Sequence, residues 1–255
     1  MSILGGLLGV VFSLYVFLNV YDLQIQAELS RGASVEALLV SYILPLLTVL
    51  AVVGGIAWIV AGCGFYTGQD WNFPTAIMAC IISILAGFFP ILPYVSSGLG
   101  FPPTSIIFTV NFLFFLLLQA YVRPTNIRSI VLSLLSGMAF ILAFVNGVAS
   151  THYIFVTMDP LYISLQPLNF IASAGWAVTT VGVVLRMDWM KRLALGSGIA
   201  SIVAGGPLAV VTQMELGRLS LFWPSPLLAA ATLVVMYLVG KCSEDSRVAL
   251  ISTQP

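Results

Sequence analysis

The sequence predicts an all-α, polytopic membrane protein: eight transmembrane helices forming two parallel four-helix repeats, with both termini cytoplasmic. Three observations predict it. Of 255 residues, 60% are hydrophobic and only 7% are charged, against about 25% charged in an ordinary soluble domain. Apolar runs of roughly twenty residues recur along the chain, each long enough to cross a hydrocarbon core of about 30 Å. With no water to satisfy peptide groups, such runs must be helices. Third, scarce residues recur in one register: Trp58 and Trp176, Trp71 and Trp189, Asp70 and Asp188, and Gly64 and Gly182 are each 118 residues apart. Leu, Ile and Val match cheaply between apolar segments. Trp and Asp do not, so their shared spacing marks an internal duplication.

The first span covers residues 3–21. It lacks a basic flank and reads as a retained helix rather than a cleaved signal. The second covers 37–63, the third 74–97 and the fourth 104–122. After Arg123-Pro124 the pattern restarts, with spans at 128–150, 165–186, 192–213 and 224–241. The first repeat is therefore 1–123 and the second 124–255, including a short tail. The junctions Phe101-Pro102-Pro103-Thr104 and Phe222-Trp223-Pro224-Ser225 open the fourth and eighth spans. Proline is tolerated there because its missing N–H would be unpaired in a first helical turn. These junctions match at offset 121, as a three-residue insertion in one half would produce.

Basic residues set the orientation. Arg123, Arg128, Arg186, Lys191, Arg192, Lys241 and Arg247 fall on one side of an eight-span count, leaving Arg31 and Arg218 opposite. The positive-inside rule puts both termini in the cytoplasm of a cell membrane. An even number of spans per repeat inserts both halves the same way up, related by a pseudo-twofold axis along the membrane normal.

Two corresponding segments carry helix-breaking residues: Gly87-Phe88-Phe89-Pro90-Ile91-Leu92-Pro93 in the third span and Gly205-Gly206-Pro207 in the seventh. Proline removes a donor and clashes with the carbonyl four residues back. Paired interruptions in two halves point to a substrate pathway lined by freed carbonyls; the ordinary alternative is a packing kink. Asp70-Trp71 and Asp188-Trp189 open the third and seventh spans on the cytoplasmic side. They read as dipole-complementing carboxylates and interfacial anchors, or as a symmetric inner gate with Asp188 paired to Lys191 or Arg192. Asn19, Gln119, Asn146, Asn169 and Gln213 read as interhelical hydrogen-bonding or interfacial residues, whereas Asn111, well inside the fourth span between Val110 and Phe112, is a candidate residue of the substrate pathway. The stripes Gly5-xxx-Gly9 and Gly196-xxx-Ala200-xxx-Ala204 read as close helix contacts.

Absences narrow the function. His152 is the only histidine, which excludes bis-histidine haem and a histidine-built copper site. Cys63, Cys80 and Cys242 form no CxxC pair and suggest neither a disulfide framework nor zinc. No acidic residue is expected inside a span, Glu28/Arg31/Glu36 and Glu244/Asp245/Arg247 read as solvated edges, and no P-loop or catalytic constellation appears. The chain is expected to be no enzyme and to hold no cofactor or metal. A formal net charge of +0 argues against nucleic-acid binding by a basic surface. The leading expectation is a transporter or channel-like permease for a neutral or apolar solute, or a weakly bound ion, with its site between the repeats. The alternative is a non-catalytic membrane subunit of a larger translocation, secretion, DNA-uptake or respiratory complex. Its partners are then the lipid bilayer and other membrane subunits or further copies of itself.

Overall fold

Glycine and proline punctuate the chain, and between them it is helical. The computed structural model describes residues 2–252, and side chains over 2–238. Contacts divide it into two units, Met1–Thr125 and Asn126–Pro255. The first holds α1 (Ser2–Ser30), α2 (Ser34–Thr67), α3 (Asn72–Phe88), α4 (Ile91–Ser96) and α5 (Thr104–Leu117), which ends in a π turn, Leu118–Val122. The second holds α6 (Ile127–Thr157), α7 (Pro160–Leu185), α8 (Met190–Leu216) and α9 (Pro224–Ser252). Among the described residues, seven segments are long and apolar enough to cross a membrane, counting α3 with α4 and α5 with its π turn as one each; the apolar part of α9 described in full, Pro224–Leu238, is shorter. These are the helices of a multi-span membrane protein. Lys241, Cys242, Glu244, Asp245 and Arg247 lie outside the residues whose side chains are described.

Local chemistry explains the boundaries. Asn126 Oδ1 caps α6 by accepting from Ser129 N at 2.8 Å, and Asp159 Oδ1 caps α7 by accepting from Leu161 N at 2.8 Å. Asp159-Pro160 is an N-cap followed by proline at the first helical position, so α7 begins five residues before the expected 165. α1 runs on to Ser30 rather than stopping at 21, because its buried stripe continues at every fourth residue: Val16, Val20, Gln24, Glu28. Asp22 and Glu28 thus lie in a membrane-length helix, and Glu28 is 3% exposed rather than a solvated edge.

α2 and α7 end alike. Gly68 (φ 68) and Arg186 (φ 58) turn left-handed, and the next amides, Gln69 N and Met187 N, each donate back at 2.9 Å to Gly64 O and Gly182 O. A Trp ring covers each of those glycines. A Cβ on Gly64 would fall 2.8 Å from the Trp71 ring, and one on Gly182 3.1 Å from the Trp189 ring.

The third and seventh spans behave differently. The third breaks: α3 stops at Phe88, a turn covers Phe89 and Pro90, and α4 restarts at Ile91. The seventh does not. α8 runs through Gly205, Gly206 and Pro207 without interruption. Two prolines three residues apart, Pro90 and Pro93, delete donors in successive turns, whereas Pro207 deletes one that a helix can lose. The expected pair of interruptions is a single one.

Side-chain size sets the seams. In the first unit α1 packs closely on α2, α2 on α3, and α3 on α5, but α1 and α5 touch only sparingly. The α1–α2 seam closes at Gly6 and Gly55; a Cβ on Gly6 would lie 2.6 Å from Gly55 O. The expected contact stripe, Gly5 and Gly9, meets no atom within 4 Å. Gly196 likewise meets nothing, and α8 makes its close contacts through Ser197 against Gly175 and Gly198 against Leu233. In the second unit all four seams close, α6 against α9 included. Polar bonds stitch it internally: Trp176 Nε1 to Ser201 Oγ at 3.0 Å, Thr180 Oγ1 to Ser136 Oγ at 3.0 Å, and Asn146 Nδ2 to Phe222 O at 3.1 Å.

Candidate functional site

The open seam of the first unit encloses a cavity of about 810 Å³, within the range of small-molecule sites. α1 supplies Gly5, Leu8, Gly9 and Phe12, and α2 supplies Gly55 and Trp58. Ser83 comes from α3, and α5 contributes the face from Ile106 to Leu117, continued by Leu118, Tyr121 and Val122 of the π turn. The Gly5/Gly9 stripe has the opposite role to the one expected. It withdraws side chains from α1 and makes the wall on that side.

Three of the polar side chains here spend hydrogen bonds on the protein itself. Asn111 Oδ1 accepts from Trp58 Nε1 at 2.9 Å, and Asn111 Nδ2 donates to Ile107 O at 2.9 Å. Ser13 Oγ donates to Gly9 O at 2.6 Å. The Phe114 ring packs 5.4 Å from that of Trp58. No lining side chain is charged. An apolar segment entering this space therefore strips water from few polar groups, which is the costly part of burial.

Of the pathway and gate residues expected from sequence, Asn111 lines this cavity, beside Trp58 and the Gly5/Gly9 stripe. The other pathway and gate residues are elsewhere. Gly87 is a close-approach glycine, where a Cβ would lie 2.5 Å from Phe108 N on α5. Gly205 on α8 is also a close-approach glycine, 2.9 Å from Pro226 Cδ and 3.2 Å from Asn146 Nδ2 by the same measure. Pro90 is buried beside a smaller cavity of about 30 Å³ that Thr104 also lines. Pro93 belongs to α4, and its carbonyl accepts from Ser97 N at 3.0 Å. Gly206 meets nothing within 4 Å and Pro207 is exposed, so neither frames a pathway inside its unit. Asp70 and Asp188 are exposed, and Trp71 and Trp189 are 45% and 43% exposed. No ion pair joins Asp188 to Lys191 or Arg192 among the described residues, so the expected gate contact is not made.

The chain matches no protein family, no curated protein and no solved structure. Geometry alone carries the functional reading.

Two features escaped sequence reasoning. The first is a polar latch at the far end of α1. Ser97 Oγ donates to the buried Glu28 Oε1 at 2.5 Å, and Arg31 Nη1 donates to Ser96 O at 2.6 Å while lying 3.6 Å from Glu28 Oε2. Together they tie α4 to α1. The spacing of four along Val16, Val20, Gln24 and Glu28 was the available signal. The second is the π turn, in which Arg123 N donates to Leu118 O at 3.0 Å. It leaves Arg123 exposed directly after the cavity-lining Val122, its guanidinium 5.8 Å from the centre of the Phe73 ring.

Proposed function

We propose that this membrane protein is a permease for a largely apolar solute, taken sideways from the bilayer into the cavity of its first unit. The observation that carries this is the unclosed seam between α1 and α5, beside a cavity with no charged lining. Its counterpart between α6 and α9 is closed. The proposal includes the duplication. It is supported by the matching αL caps at Gly68 and Arg186, by the Trp71–Gly64 and Trp189–Gly182 contacts, and by Thr104 and Ser225. Those two hydroxyls, at offset 121, are both buried without a partner. One copy has then kept a closed bundle while the other opened. The proposal also sets both termini on the cytoplasmic side of a cell membrane, which the bias of basic residues toward those loops supports.

A helix from a partner subunit in a larger complex would fill the same open seam. That reading predicts co-purification of a defined partner in mild detergent, with the seam protected. The permease reading is tested by reconstitution. Proteoliposomes carrying an NBD-labelled phosphatidylcholine should show protein-dependent transbilayer movement by dithionite reduction, lost in Gly9→Leu. No acceleration by the intact protein would overturn it.

A further inference from the structure

Resting on that solute site, we propose that its occupant is an acyl chain of an anionic phospholipid, drawn from the leaflet on the Arg123 side, with Arg123 holding the headgroup. Four observations converge. The lining runs along α1 from Ser2 to Ser13, about 16 Å at 1.5 Å per residue. That is close to the ~15 Å hydrocarbon depth of a single leaflet. Beyond it the space narrows to the cavity of about 30 Å³ beside Pro90, where Val16 and Val20 of α1 pack with Tyr94. The wide part of the space is thus one leaflet deep and too constricted beyond that for a second chain, the shape of a single chain rather than a pore.

The walls suit hydrocarbon. A Cβ on Gly5 or Gly9 would meet nothing within 4 Å, so methylene groups can approach the α1 backbone there. Asn111 and Ser13 spend their hydrogen bonds on Trp58, Ile107 and Gly9. Charge is confined to the mouth. The lining ends at Tyr121 and Val122, and the next residue is the exposed Arg123, stacked over Phe73. A guanidinium at the headgroup level recognises phosphate by paired, charge-assisted bonds. Basic residues at an anionic membrane surface are attracted to it in any case.

Trp58 in the wall provides the readout. The protein is placed in nanodiscs containing phosphatidylglycerol or phosphatidylcholine with dibrominated acyl chains, and the emission missing from Trp58→Phe is assigned to Trp58. Brominated phosphatidylglycerol should quench that emission at about a fivefold lower mole fraction than phosphatidylcholine, as expected for one arginine near an anionic headgroup. Arg123→Gln should equalise the two lipids without abolishing quenching, and Gly9→Leu should abolish it for both. Absence of Trp58 quenching by either lipid would overturn the proposal, and equal quenching in the unaltered protein would overturn the headgroup assignment. Binding is read here without transport. Quenching without transbilayer movement therefore defeats the permease reading alone, and movement without quenching defeats this inference alone.

Discussion

Trp58 donates its indole N–H to Asn111 Oδ1 at 2.9 Å, whereas Trp176, 118 residues later, donates to Ser201 Oγ at 3.0 Å. One bond reaches the last helix of its unit, α5; the other reaches α8. Ser83 stands in the register of Ser201 and lines the cavity instead. Two tryptophans in one sequence register thus have different surroundings, with Trp176 fully buried and Trp58 at a cavity wall.

Trp58→Phe should therefore be mild. An interhelical hydrogen bond in a membrane protein contributes about 0.6 kcal/mol on average. Trp176→Ala empties a fully buried site and should cost about 3–5 kcal/mol. Thermal unfolding in detergent ranks the two, and a larger loss at Trp58 would contradict the packing described.

Gly87→Ala should destabilise the fold by about 1–3 kcal/mol, because its Cβ must displace α5 backbone. Gly205→Ala should cost less, since its closest approach, 2.9 Å to Pro226 Cδ, is looser than the 2.5 Å to Phe108 N at Gly87. Gly206→Ala faces open space and should be neutral or slightly stabilising through helix propensity. Chemical denaturation of the three variants in mixed micelles checks the order.

Arg186 occupies a left-handed position at the end of α7, as Gly68 does at the end of α2. Arg186→Gly should stabilise the α7 cap by about 1 kcal/mol, the penalty a side chain incurs in that region. Gly68→Arg should lose a similar amount. Opposite signs in the melting temperatures are the expected result.

Ser97→Ala removes a hydrogen bond to the buried Glu28 carboxylate and should cost about 1–3 kcal/mol. The effect should be local. Hydrogen exchange should quicken in α4 and the end of α1 and remain unchanged in α6–α9.

Composition and apolar run length made the helices legible, since 7% charge leaves no other solvent for this chain. The Gly64–Trp71 and Gly182–Trp189 contacts follow from residues whose rarity already marked a register. Four points were not legible. Gly5 and Gly9 resemble a contact stripe, yet the close seam uses Gly6; one residue turns a helix face by about 100°, and no local signal says which face meets a neighbour. The Gly205-Gly206-Pro207 run holds no second proline and stays helical. Glu28 is an acidic residue of a kind usually found in solvent, yet it lies on a four-residue stripe that carries it inward to Ser97. The cavity itself depends on α1 failing to close on α5, a consequence of packing between segments distant in sequence.

The central claim is that the α1–α5 seam opens to the bilayer, and cysteine accessibility tests it most directly. In a Cys63→Ser, Cys242→Ser background, the fully buried Cys80 serves as the internal control. A membrane-dissolved maleimide should label Gly9→Cys rapidly and leave Cys80 unreacted. Protection of Gly9→Cys equal to that of Cys80 would contradict the open seam and the solute site built on it.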